Sequence, residues 1–116
     1  MNSRGERIRK ALIKELSDII QFKIKDPRIH GIISVTDVEL SHDYKYAKAY
    51  ISIFGADEDK QDIMDAIEDS TSFIMGEISR RIRMRFTPEL KFMLDESLEK
   101  GRRLTDLIDK ISRGEL

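Results

Sequence analysis

Hydrophobic residues recur at helical spacing in four separate segments of the chain. Residues 4–24 carry them three or four positions apart, as an amphipathic helix does. The same spacing predicts a second helix ending at about Asp69, a third ending at Phe86 and a fourth over residues 104–111. Pro27 disfavours helical geometry at the residue before it, so we expect the first helix to end there.

Three shorter segments alternate between apolar and polar positions, which is typical of half-buried strands. They lie at residues 31–40, 47–53 and 90–94. In the first, the apolar positions change parity near Thr36 and Asp37, which predicts a β-bulge. Polar turn residues join the first two strands, so these should form a hairpin.

The predicted order is α-β-β-α-kink-α-β-α. The kink is placed at Ser70, Thr71 and Ser72, whose hydroxyl groups can bond back to the preceding turn and bend a helix. A three-stranded sheet with helices packed on one side is the compact solution for this order, an α+β fold. With 116 residues the chain should be a single domain, residues 1–116, with an ordered core over about 4–111.

Charge is segregated along the chain, although the net charge is only −1 and charged residues make up 37%. Residues 1–28 hold eight Lys or Arg against four acids, and residues 80–91 hold five against one. Residues 57–69 hold seven acids against one lysine. Two basic blocks separated by an acidic one favour a directed contact with a polyanion. The alternative is that all three are ordinary solvated helix faces.

Signals of catalysis are absent from the sequence. There is no cysteine, no glycine-rich phosphate loop and no metal-binding histidine spacing. Ser41, His42 and Asp43 are adjacent in sequence and are explained by a turn, because catalytic triads are assembled in space. We therefore predict no catalytic residue, no metal site and no cofactor. No apolar run is long enough to cross a membrane, and a cytoplasmic protein is the simplest interpretation.

The arginines of the third predicted helix are the leading candidates for phosphate contact. At about 100° per residue, Arg80 and Arg83 fall opposite the isoleucine stripe, Arg81 lies at its margin and Arg85 lies near the helix end. Their alternative role is to stabilise the helix C-terminus through its dipole.

Other cations could extend this surface. Lys91 projects from the strand face opposite its apolar side chains, and Arg4, Arg7 and Lys10 lie along one side of the first helix. The phenylalanines, including Phe73 and Phe86, are expected in the core, so we predict recognition of RNA backbone and shape over base reading.

Five segments of the chain resemble segments of the bacterial ribosome-binding factor A family. The first four occur in the same order and at the same spacings as in that family, and the fifth follows them. The resemblance spans about residues 4–111 and rests on the ordered set. The segments are Ile24-Lys-Asp-Pro-Arg-Ile29, Val35-Thr-Asp-Val-Glu-Leu-Ser41, Tyr46-Ala-Lys-Ala-Tyr-Ile-Ser52, Thr87-Pro-Glu-Leu-Lys-Phe92 and Asp95-Glu-Ser-Leu98.

The resemblance implies a type II KH-like domain with an extra C-terminal helix, in which a helix-kink-helix replaces the GXXG loop of ordinary KH domains. It implies a non-enzymatic factor that binds the small (30S) ribosomal subunit and 16S rRNA late in assembly. Such a factor supports maturation of the rRNA precursor at its 5′ end, notably in the cold. It is linked functionally to a small-subunit assembly GTPase.

The family usually has Ala-x-Gly at the kink, where this chain has Ser70, Thr71 and Ser72. The missing glycine puts a close backbone approach in doubt, and the hydroxyl groups could instead donate to phosphate. These three residues, and Arg28 within the first resembling segment, complete the candidate RNA-binding set.

A different class of function stays open: an α+β module that binds a protein through its sheet or its acidic helix. Salt dependence separates the two, because affinity for phosphates falls steeply with ionic strength. An undetected hydrolase has almost no support. Nothing in the sequence demands more than a monomer.

Overall fold

A computed structural model of the chain describes residues 3–114, except for the side chains of residues 98–104. The observed order matches the predicted one. The elements are α1 (Ser3–Asp18), continued by a π-helical turn (Ile19–Lys23), β1 (Ile32–Leu40), β2 (Tyr46–Phe54), a 3₁₀ turn (Asp57–Asp59), α2 (Lys60–Asp69), α3 (Thr71–Arg81), β3 (Glu89–Leu94) and α4 (Ser97–Ser112).

The sheet has the strand order β1-β2-β3, with β1 antiparallel and β3 parallel to the central β2. The predicted hairpin is confirmed, and so is the bulge, because the register of β1 shifts between Val35 and Asp37. The bulge lets Val35 and Val38 both point into the core despite their odd separation. Arg9 of α1 donates to the Asp37 carboxylate and so ties the first helix to this irregular point.

One face of the sheet carries the core, which α1, α2 and α3 cover. Fully buried aliphatic side chains from the helices meet the inward residues of the strands, and each such burial contributes about 1.5–3 kcal/mol. The helical contribution comes from Leu12, Leu16, Ile19, Ile20, Ile63, Ile67, Ile74 and Ile78. The prediction of helices packed on one side is confirmed for these three helices.

The first helix widens into a π-helical turn at Ile19–Lys23. Both Ile19 and Ile20 are buried there, while Phe22 is 74% exposed. Gln21 of the same turn accepts a hydrogen bond from the Ile33 amide at 2.6 Å and donates to the Gly31 carbonyl. The turn therefore fixes the start of β1.

The third helix is shorter than the sequence predicts. It ends at Arg81, and Ile82 is extended, with φ −121° and ψ 124°. Ile82 still packs against the core. It lies four residues after Ile78, so the sequence shows helical spacing at a position where the helix has already ended. The chain from Ile82 to Pro88 returns to the sheet, because a strand parallel to β2 must enter beside Tyr46, where β2 begins.

The predicted C-terminal helix is confirmed as α4. Its start is anchored at Asp95, which donates its amide to the Ile51 carbonyl and accepts the Ser97 amide. Leu107, Ile108 and Ile111 are exposed, whereas Leu104 of the predicted stripe is outside the described side chains. Among the described residues, no helix is both long and apolar enough to cross a membrane.

Candidate nucleic-acid interface

Four of the predicted arginines converge on one cavity of about 340 Å³. The helix α1 supplies two of them, and the segment that follows α3 supplies the other two. Because α1 and α3 pack side by side, the two basic blocks of the sequence meet at this place. The cations are Arg4, Arg7, Arg83 and Arg85.

Aromatic and aliphatic side chains line this arginine cavity beside the cations. Tyr44 and Phe86 contribute rings, and Ile8 and Met84 contribute aliphatic surface. The Arg4 guanidinium carbon lies 6.0 Å from the centre of the Tyr44 ring, within range of a cation–π interaction.

Several cations of the cavity have no carboxylate partner. Within residues 3–114, apart from the undescribed side chains, Arg7, Arg83 and Arg85 form no ion pair. All three are exposed. A guanidinium without an internal partner can meet a phosphate without first breaking a bond, which favours external contact.

The one acid in the lining, Asp43, is occupied by its own hairpin turn. Its carboxylate accepts the Lys45 amide and the Ser41 hydroxyl, and these bonds hold the pKa of Asp43 below its ordinary value. The prediction that Ser41, His42 and Asp43 form a turn is confirmed. The cavity therefore keeps an excess of positive charge.

Arg83 and Arg85 were predicted on a helix, and that placement is wrong. Both follow the end of α3 and lie in the segment that leads back to the sheet. In this segment they line the same cavity as Arg4 and Arg7 of α1.

Arg81 is bound within the fold. Its guanidinium donates to Glu15 at 3.1 Å and to Asp18, both on α1, and pairs with Glu77. The bond to Asp18 raises the pKa of Arg81 above its ordinary value and lowers that of Asp18. This arginine links α3 to α1 and is the least available of the predicted set.

Arg28 and Arg80 also have internal partners. Arg28 bridges Asp26 at 2.7 Å and Asp69 at 2.9 Å, which raises its pKa. Arg80 is paired with Glu77 one helical turn away, although it remains well exposed. Arg28 thus connects the loop before β1 to the C-terminal end of α2, which lies just before the kink.

At the kink, two of the three hydroxyl groups bond back to α2. Ser70 donates to the Ala66 carbonyl at 2.8 Å and Thr71 to the Glu68 carbonyl at 2.6 Å, which confirms the predicted local bonding. Ser72 is exposed and has no hydrogen-bond partner in the described part of the chain. Only Ser72 is therefore free to donate to a ligand without giving up a backbone bond.

A second, larger hollow of about 790 Å³ lies between β3 and the α2–α3 kink. Thr71 and Lys91 of the predicted set line it, with Lys48 of β2. Three glutamates also line it, so the acidic residues in its lining outnumber the two lysines. The glutamates are Glu39, Glu68 and Glu89. Lys10, the remaining predicted cation, is exposed on α1 and lines neither hollow.

The prediction that Phe73 and Phe86 belong to the core is wrong. They are 43% and 41% exposed. Phe86 lies beyond the end of α3 and so misses the buried stripe. Sequence reasoning did not find Phe86 or Tyr44 as cavity residues, because only the tertiary packing brings their rings beside the arginines. No group of three or more His, Asp or Glu side chains suited to a metal ion occurs among the residues that the structure describes.

Comparison with known proteins gives one consistent result. The family model for ribosome-binding factor A matches residues 4–108. Over 115 residues the chain is 40% identical to the ribosome-binding factor A of Caldanaerobacter subterraneus subsp. tengcongensis, covering 99% of this chain and 94% of that protein.

Solved structures agree with the sequence comparison. The crystal structure of ribosome-binding factor A from Thermus thermophilus matches with a TM-score of 0.67 at 26% identity, covering 79% of this chain and 96% of that one. A homology model of the Thermus thermophilus protein, fitted into a cryo-EM map of its complex with 30S, matches with a TM-score of 0.61 at 28% identity. It covers 74% of this chain and 89% of that one. These structures have a KH-like fold, which confirms the predicted fold class.

Proposed function

The chain belongs to the ribosome-binding factor A family, and from this premise we propose that it binds the small ribosomal subunit through 16S rRNA. The observation that carries the proposal is the arginine cavity, where two distant basic blocks supply guanidinium groups to one surface, three of them without an ion-pair partner in the described part of the chain. A related protein has been fitted into a map of a 30S complex, which supports the same partner here.

The finer parts of the proposal follow from family membership. The protein acts in the cytoplasm as a monomer, on the free subunit late in assembly, and supports maturation of the 16S precursor at its 5′ end, notably in the cold. A small-subunit assembly GTPase acts with it. Its action is non-enzymatic, in keeping with the use of Ser41, His42 and Asp43 in a turn.

Two experiments test these finer parts. Depletion of the protein in the cold should enrich precursor 16S rRNA. Sedimentation equilibrium of the purified protein should give the mass of one chain.

Cosedimentation with isolated 30S, 50S and 70S particles at two salt concentrations tests the partner. We expect selective binding to 30S that weakens as salt rises, because phosphate contacts release counterions. Equal binding to every particle, or none to 30S, would contradict the proposal. Selective binding to 30S that is insensitive to salt would favour a protein–protein module instead.

The double variant Arg83→Ala/Arg85→Ala tests the surface. It should weaken 30S binding and reduce the log–log salt slope by about 1.4–1.8, since each phosphate contact contributes about 0.7–0.9. The matched control is Lys23→Ala/Lys25→Ala, which removes the same charge from exposed positions outside the cavity. If both double variants lose affinity equally, the cavity is not the RNA-binding surface.

A further inference from the structure

We propose that the arginine cavity holds one unstacked nucleotide of single-stranded RNA, with its phosphate on the guanidinium groups and its base against the Phe86 ring. This inference rests on the proposed RNA-binding function and names the form of RNA that this site accepts. It departs from the prediction of backbone and shape recognition alone.

The size of the cavity suits a single nucleotide. Its volume of about 340 Å³ lies at the lower end of the range of small-ligand sites. A duplex cannot enter such a concavity, whereas a nucleotide turned out of its stack can. All four arginines line this one concave site, which also favours a compact ligand.

The lining offers two chemistries that a nucleotide combines. Arg7, Arg83 and Arg85 lack internal ion-pair partners among the described residues and present planar donors that fit phosphate oxygens. Phe86 offers an exposed ring, and base stacking on such a ring tolerates any sequence because every base has a π face. Phosphate-binding cations and an exposed ring thus line the same hollow.

The backbone beside the cavity supports the same interpretation. Tyr44 has φ +61°, a left-handed conformation that a bulky aromatic residue rarely adopts. The hairpin turn holds it there, with the Tyr44 amide donating to the Ser41 carbonyl at 3.0 Å. Its ring thereby lines the cavity and lies under Arg4.

This site is distinct from the kink. The helix α3, of 11 residues, separates them by about 16 Å at 1.5 Å per residue. A strand of RNA bound at the kink would therefore need several further nucleotides to reach the arginine cavity.

The test uses an RNA hexamer that carries one 2-aminopurine, a base whose fluorescence is quenched by stacking on neighbouring bases and rises when it leaves their stack. The same sequence in a hairpin stem is the duplex probe, and poly-glutamate is the acidic-peptide probe. We expect the wild-type protein to bind the single strand more tightly than the stem and to raise its fluorescence. Equal affinity for strand and stem, no rise in fluorescence, or tighter binding of poly-glutamate would overturn the inference.

Three variants locate the stacking ring. Phe86→Leu should lower hexamer affinity about fivefold to a hundredfold and abolish the rise in fluorescence, while Phe86→Tyr should keep the affinity. The control Phe22→Leu changes an exposed phenylalanine outside the cavity and should change neither the affinity nor the fluorescence. If circular dichroism shows that Phe86→Leu does not fold, a loss of affinity in Phe86→Tyr, or unchanged affinity in Arg85→Ala, overturns the inference.

Cosedimentation with 30S separates the two proposals. A wild-type protein that does not sediment with 30S contradicts the proposed function. A wild-type protein that sediments with 30S but does not raise the fluorescence of the hexamer, or a Phe86→Leu variant that raises it equally, overturns this inference alone.

Discussion

Gly31 occupies a position that no other residue can fill without strain. Its φ is +80°, and a Cβ added there would lie 2.7 Å from the Phe54 carbonyl oxygen. Gly31→Ala should therefore lower the free energy of unfolding by about 1–3 kcal/mol or more, as measured by urea denaturation. Gly55 has the same φ with nothing within 4 Å, so Gly55→Ala isolates the backbone strain and should cost less. Equal losses would show that the close approach to Phe54 relaxes freely.

The Arg81 cluster predicts how stability depends on pH. The bond from Arg81 lowers the pKa of Asp18, and the pKa of Glu77 is lowered mainly by Arg80 and to a smaller extent by Arg81. Because these folded-state values are below the unfolded ones, the stabilisation is complete above the ordinary carboxyl range and is lost as pH falls below about 4. Thermal melting of Arg81→Ala should therefore show a lower melting temperature at neutral pH and a weaker loss on acidification. A variant whose acid dependence matches that of the wild type would mean that the cluster adds nothing to stability.

At the scale of elements, hydroxyl groups bond to the backbone at the kink between α2 and α3. Ser70 and Thr71 are committed to α2 carbonyls, and only Ser72 is unbonded among the described residues. Ser72→Gly should leave 30S binding unchanged or improve it, while costing about 0.5–1 kcal/mol of stability within the helix. Titration of 30S by fluorescence anisotropy measures the first effect and urea denaturation the second. A large loss of binding would instead assign the Ser72 hydroxyl to a phosphate contact.

The elements themselves were predictable where burial repeats on one face. The alternation of residues 47–53 and the bulge near Thr36 both follow from which side chains must face the helices. The end of α3 was not predictable in this way. Nothing in Ile82, Arg83 or Met84 stops a helix, and the helix ends because β3 must enter the sheet beside Tyr46.

Candidate residues for the site could be named from the sequence, but their geometry could not be predicted. The sequence pattern placed Arg80 and Arg83 first for phosphate contact and Arg85 near the helix end, whereas the meeting of Arg83 and Arg85 with Arg4 and Arg7 depends on the packing of α1 against α3. The commitment of Arg81 to α1 is a tertiary contact of the same kind, between residues more than 60 positions apart.

At the scale of the whole molecule, α4 gives the protein an extended outline. The Cα radius of gyration is 16.6 Å, against about 13 Å for a compact domain of this length. Small-angle X-ray scattering should give a value well above that of a compact sphere, and a chain ending at Glu96 should fall to about 12–13 Å. An unchanged radius after truncation would mean that α4 folds back onto the sheet in solution.

The arginine cavity joins residues that lie far apart in the sequence, and this has a consequence during translation. Arg4 and Arg7 leave the exit tunnel before Arg83 and Arg85, which follow them by more than 70 residues. The hairpin of β1 and β2 can form early because its contacts are local, but the parallel strand closes a long loop and must come late. A nascent chain that has not yet exposed Arg83 and Arg85 therefore carries only two of the four cavity arginines, so the proposed RNA-binding surface is assembled only after the hairpin has left the ribosome.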